Sequence, residues 1–234
     1  MENGHATPLW RAAVLPLLLS LTVPISAASP PASWDGLMHV KSKKVQAVYL
    51  LPGADFRSYT KVMIDPPEFA FKKNWQRDHN TDIDPSQNIS NAQVRDILDQ
   101  AKTGFHTLFV EAYQKAGYQV VTTPGADVLR ISTAVVNLDI AAPDTMSAGM
   151  QWTFTKEAGG GTLVVEARDS TTGALLGRAV DARVMDDMRP YLRNRASNYE
   201  DFRDLFSRWA KLSAEGLNEL KLHSPLGPNG QPQR

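Results

Sequence analysis

No cysteine occurs among the 234 residues, which excludes a disulfide framework, a thiolate metal centre and anchoring through a lipidated cysteine. Histidine is scarce. The five histidines, at positions 5, 39, 79, 106 and 223, include no pair at helix spacing, so no zinc constellation can be written. A dominant charge sign is missing too: 25 basic and 25 acidic residues cancel, so no global field favours nucleic acid or an anionic membrane surface. Any electrostatic partner must be met through a local patch. No apolar run reaches the ~20 residues that a membrane-spanning helix needs, so the mature chain is read without one. Nothing in the sequence asks for a cofactor, and no catalytic set can be assembled.

What is present begins with an export signal. After Arg11, "AAVLPLLLSLTVPI" is followed by the small residues Ser26, Ala27 and Ala28, the pattern of a secretory signal peptide over residues 1–28. Pro16 and Pro24 interrupt the apolar stretch, which argues against a retained anchor. The expected location is the bacterial periplasm or the exterior. Residues 29–37, rich in Pro and Ser, read as a linker, residues 38–222 as one domain, and residues 223–234 as a disordered tail.

"VQAVYLLPG" (45–53) alternates like a strand, and the segments 60–65 and 68–75, separated by Pro66 and Pro67, read as two more extended pieces. Residues 76–90 read as a polar loop. Val94, Ile97, Leu98, Ala101, Phe105, Leu108, Phe109, Ala112 and Ala116 then form a helical stripe, with Ser90 or Asn91 to cap it and Gly117 to close it. "VLRISTAVVNLDI" (128–140) is a long strand whose alternation changes face near Val135 and Val136, which predicts a bulge. Residues 151–156 and 162–168 read as a hairpin around "EAGGG". "DSTTG" (169–173) reads as a second hairpin turn, because Asp can accept from backbone N–H groups two residues on and Gly supplies a positive φ. A nucleophile there would need a nearby base, and no elbow motif is present.

Residues 186–198 read as a loop, Ser197 and Glu200 as a capping box, and Tyr199, Phe202, Leu205, Phe206, Trp209, Leu212, Leu217 and Leu220 as a second helical stripe. This order predicts an α+β fold: a largely antiparallel sheet of about six to eight strands with two amphipathic helices packed on one face.

The block from Trp34 to Trp75, the stretch "EARDSTTGALLGRAVDAR" and the closing "FRDLFSRWAKL" resemble the bacterial envelope family known as domain of unknown function 3313. The resemblance spans roughly residues 34–222. It implies an exported protein, often a lipoprotein, and carries no activity or catalytic residues; the missing cysteine departs from the lipoprotein pattern. The first helix with "GYQVVTTPGADVLRI" also resembles periplasmic α+β domains such as the amino-terminal domain of TolB. That second resemblance implies binding rather than catalysis.

Asp78, Asn80, Asp82 and Asp84 alternate like the start of a calcium loop, but Ile83 stands where the turn needs Gly and Ile89 where it needs Glu. A solvated loop is the expectation. Arg189, Tyr191, Arg193 and Arg195 form the candidate binding patch, since guanidinium groups suit bidentate contact with phosphate or carboxylate. Asp186, Asp187, Glu200, Asp201 and Asp204 flank it and supply local charge balance. Trp209 is expected in the core, and Trp34 as an exposed anchor; the loop 142–149 is a candidate partner contact.

The leading expectation is a non-enzymatic periplasmic binding or assembly domain that meets an envelope protein or an anionic envelope component. A hydrolase using Asp55, Asp65 or Asp181 is the alternative and requires those carboxylates in one cleft. A small-ligand carrier is the third reading and requires a cavity between sheet and helices.

Overall fold

The computed structural model describes residues 30–81, 84–140, 153–193 and 195–231; within these, the side chains of 153–158 and 185–199 lie outside the description. The chain opens with strands β1 (Ser33–Trp34), β2 (Leu37–Val40), β3 (Ala47–Leu50), β4 (Lys61–Ile64) and β5 (Glu68–Phe71). Helices α1 (Trp75–Thr81) and α2 (Asn91–Lys115) follow, then β6 (Gln119–Val120), β7 (Val128–Ile140), β8 (Thr153–Asp169), β9 (Leu175–Arg193) and α3 (Arg195–Leu222). The nine strands join one sheet in the order β1-β2-β3-β9-β8-β7-β4-β6, with β5 also paired to β7. The fold is α+β, as expected. The sheet is mixed: β4 runs parallel to β6 and β7, and β5 parallel to β7, while the remaining pairs are antiparallel. The parallel pairing of β4 with β6 follows from the helical crossover between them, since a hairpin cannot join parallel strands.

The helical periods are realised on one face of the sheet. Ser90 caps α2 in a full capping box with Gln93, and Gly117 closes it at φ +94°. Phe105 and Phe109 of α2 and Phe202, Phe206 and Trp209 of α3 are buried with Val62, Leu129, Ile131 and Val135 of the sheet. Phe69, Phe105 and Phe206 meet edge to face, with centroids 5.4, 5.2 and 5.8 Å apart, which ties β5, α2 and α3 together. Each such pair adds roughly 0.5–1.5 kcal/mol beyond area burial.

Several local expectations are corrected. Residues 75–81 are helical rather than loop: Trp75 buries its indole against Phe71 at 3.9 Å, which fixes the first turn of α1. The "EAGGG" segment is not a turn. β8 runs unbroken through it, because the three glycines mark a close backbone approach instead of a reversal. A Cβ on Gly159 would lie 1.8 Å from the Asp139 carbonyl oxygen, and one on Gly160 would lie 2.4 Å from that of Arg183. This is where β7 bulges, with Asn137 at φ +54° and the register shifting between Val136 and Asp139, close to the expected site. The expected loop 186–198 is instead the end of β9 followed by α3, which begins at Arg195, two residues before the expected cap.

Residues 33–37 and 224–231 are more ordered than their composition predicts. In the expected linker, β1 pairs with β2, and Leu37 is fully buried against Tyr49 and Ala47. In the expected tail, Leu226 is buried and its N–H donates to the Ala54 carbonyl, while Gly53 N–H donates to the Gly227 carbonyl. A single buried leucine, worth roughly 1.5–3 kcal/mol, outweighs the polar composition around it.

The Asp169 turn forms as expected. Asp169 Oδ1 accepts from the backbone and hydroxyl of Thr171 and of Thr172, Oδ2 accepts from the Tyr59 hydroxyl at 2.9 Å, and Gly173 sits at φ +72°. These bonds, the Thr171 hydroxyl first, hold the Asp169 carboxyl well below the usual carboxylate range. A lowered folded-state pKa stabilises above the unfolded value of about 3.9 and loses that contribution as pH falls below it. Urea unfolding of Asp169→Asn between pH 3 and pH 7 should therefore show a deficit at pH 7 that shrinks towards pH 3. A deficit independent of pH would mean that the turn is held by shape and not by the carboxylate.

Candidate functional site

The alternation of the inner sheet face sets Val48 and Leu50 of β3, Leu129 and Ile131 of β7, Leu163, Val165 and Ala167 of β8, and Gly177, Ala179 and Asp181 of β9 towards the helices. Against them stand Tyr113 of α2 and Trp209, Leu212, Ser213, Gly216, Leu217 and Leu220 of α3. Between the two layers lies a pocket of about 290 Å³. Its size sits at the lower end of small-molecule sites. Leu129, Ile131, Leu163, Tyr113 and Trp209 are buried and form its base, whereas Lys41, Lys44, Glu219 and His223 are exposed and form its rim.

Two features keep this space open. Trp209 is clamped to the sheet: its indole N–H donates to Asp181 Oδ2 at 2.9 Å, and its ring lies over Gly161 of β8. Asp181 is itself buried and accepts further bonds from Arg183 Nε at 2.7 Å and from the Gln46 N–H at 3.2 Å. Beyond that clamp, Gly216 turns a bare backbone to the pocket, and a Cβ built there meets nothing within 4 Å. Glycine inside a helix costs roughly 1 kcal/mol relative to alanine, and packing here does not require it. On the α2 side, the Tyr113 hydroxyl lies 2.8 Å from Ser213 Oγ, so the polar atoms of the wall satisfy each other. Burial pushes the Tyr113 phenol upwards, which keeps it a neutral hydrogen-bonding group.

The three carboxylates of the hydrolase alternative do not share a cleft. Asp55 is exposed and paired with Arg57, Asp65 lies beside Arg130 and Ser132 at the end of β4, and Asp181 supports the pocket wall on β9. β7 and β8 separate β4 from β9. The oxygens of the 78–84 stretch are used locally: Asp78 pairs with Arg77, Asn80 exchanges two bonds with the Ile89 backbone, and Asp84 accepts from Ser86. Asp82 lies outside the described residues. Among the described residues no group of three or more metal-ligating side chains comes together, and no helix is long and apolar enough to cross a membrane.

Arg189, Tyr191 and Arg193 fall on β9 and Arg195 on the first turn of α3, in place of one loop; their side chains are outside the description. The loop 142–149 and Trp152 are outside it as well. On the outer sheet face, Trp34 is 41% exposed and lies over Arg178, 4.0 Å from guanidinium carbon to ring centroid. Arg178 pairs with Glu166 and Asp35. Burial works against the Glu166 charge, but bonds from Arg178 and Arg168 outweigh it and hold its pKa below the usual range.

A family model described as protein of unknown function (DUF3313) matches residues 29–213. The chain belongs to the DUF3313 family. No curated protein matches it. Among solved structures, this DUF3313 chain is similar to the PelC dodecamer from Paraburkholderia phytofirmans, at 12% identity over 71% of this chain and 94% of that one, with a TM-score of 0.36. It is similar to XCC0632 of family DUF330 from Xanthomonas campestris, at 11% identity over 71% and 86%, TM-score 0.36. It is also similar to a neuraminyllactose-binding hemagglutinin homolog from Helicobacter pylori, at 11% identity over 78% and 93%, TM-score 0.35.

Sequence reasoning named Trp209, Leu212, Leu217 and Leu220 as a core stripe without separating core from cavity. The legible signal was Gly216, set inside that stripe where a helix former would serve better. Gly216→Ala should raise stability by about 0.5–1 kcal/mol in urea unfolding while narrowing the pocket. A loss of stability would show that the space above Gly216 is filled in the folded protein.

Proposed function

We propose that this DUF3313 chain is a non-enzymatic binding domain of the bacterial cell envelope, and that its site is the pocket beneath the second half of α3. The carrying observation is the pocket itself: an apolar space between sheet and helix, with an exposed polar rim and a glycine that keeps it open. An apolar recess of this size, open to solvent on one side and rimmed by polar groups, is the kind of concavity that takes a small ligand. The dispersal of Asp55, Asp65 and Asp181 supports binding over hydrolysis. The export segment in residues 1–28 supports the envelope as its location.

Uptake of the fluorescent apolar probe N-phenyl-1-naphthylamine by the exported protein tests this reading. Saturable uptake at one site is expected, and Gly216→Phe should weaken it by at least about tenfold while the circular dichroism spectrum is retained. Absence of uptake, or equal uptake by the folded variant, overturns the proposal.

A second reading concerns the ribbon. Among the described residues the pairing of β7 with β8 runs as far as Ile140 and Gly159, and before Gly159 β8 pairs with β9, where Tyr191 and Arg193 occupy alternate ladder positions opposite Thr155 and Thr153. This arm suits docking to an anionic envelope component or an acidic partner surface through Arg189, Tyr191, Arg193 and Arg195. In-cell crosslinking followed by mass spectrometry should capture one partner reproducibly and lose it in R189E/R193E. Capture that survives the double reversal removes the ribbon from consideration.

A further inference from the structure

The connection between β2 and β3 carries three lysines in four residues, Lys41, Lys43 and Lys44, and it lies at the pocket mouth, where Lys41 and Lys44 contribute to the lining. The loop is fixed in place. Ser42 Oγ accepts from the Lys44 and Val45 N–H groups, and Arg183 donates to the Lys44 carbonyl. Its base is tied down through Gln46, whose N–H reaches Asp181 and whose side chain accepts from the Ala182 N–H. The same buried carboxylate therefore positions both the Trp209 wall and the lysine loop.

The charges around this mouth cancel only in part. Glu219 pairs with Lys44, and Glu215, paired with Lys211, also acts on Lys44. Neither Lys41 nor Lys43 has a carboxylate within ion-pair distance among the described residues. His223 adds a further nitrogen donor on the opposite rim. An exposed lysine with no partner, such as Lys41, adds little to the stability of the fold. Lys41 and Lys44 line the mouth of an apolar space that also has Leu129, Leu163, Val165 and Leu217 in its walls. An apolar chamber beneath a fixed cationic rim is complementary to a molecule that has an apolar chain and an anionic end.

We infer that the pocket takes a single-chain amphiphile with an anionic head group, its chain beneath α3 and its head held by Lys41 and Lys44. This rests on the pocket reading above and adds the class of ligand. A carboxylate and a phosphate ester share the chemistry required of the head, because both offer oxygens to an ammonium donor.

The test uses the whole exported protein loaded with N-phenyl-1-naphthylamine and titrated, below their aggregation concentrations, with dodecanoate, dodecyl phosphate, dodecanol and inorganic phosphate. The two anionic chains should displace the probe about tenfold more tightly than dodecanol, and inorganic phosphate should not displace it. In K41Q/K44Q that advantage should vanish while displacement by dodecanol is unchanged. The stronger of the two anions then distinguishes a free fatty acid from a phospholipid-derived ligand, and either preference supports the inference. Equal displacement by dodecanol and the anions, or an equal loss for all three in the double variant, overturns the head-group assignment and leaves the pocket standing. Failure of the probe itself to bind overturns both.

Discussion

The hydrogen bond from the Trp209 indole to the buried Asp181 carboxylate is the contact on which the arrangement of layers turns. It fixes α3 against β9 at one height, and the aromatic triangle of Phe69, Phe105 and Phe206 fixes the helix again on its amino-terminal side. Beyond Trp209 the sheet presents Gly177 and Ala179 and the helix presents Gly216, so two layers built from small residues face each other without filling the gap. A buried carboxylate is costly unless its oxygens are satisfied, and Asp181 meets that condition with three donors from three parts of the chain.

The pocket and the stability of the domain are therefore opposed at defined positions. Filling the space with side chains would add apolar burial and helix propensity together, and the chain forgoes both at Gly216. The rim repeats the pattern in charge, since the lysine loop is fixed rigidly while only one of its ammonium groups meets a carboxylate partner. Features that oppose stability in this way are the usual mark of a site shaped by something other than folding.

Much of the fold was legible in advance because it depends on local patterns. The stripes on α2 and α3, the Ser90 cap, the Asp169 turn and the β7 bulge each follow from residues close together in sequence. The misreadings share a cause. Gly159, Gly160 and Gly161 carry the composition of a turn, and only the long-range approach of Asp139 and Arg183 shows that they thread a strand between two neighbours. Likewise Leu226 sits in a polar, proline-containing stretch, and its burial depends on Ala54, far away in the chain. The pocket was legible only as a condition of the carrier reading, because an apolar residue that lines a cavity has the same periodicity as one that fills a core.

The connectivity of the sheet also sets when this chain can fold. β3 has β2 beside it at once but gains its second neighbour from β9, far later in the chain, as Ala47 pairs with Val180, and the Ala54 carbonyl is met by the Leu226 N–H. A sheet wired in this way closes on its β3 side only once β9 is in place, and pairing across so long a stretch of chain slows folding relative to the local pairing of β7 with β8.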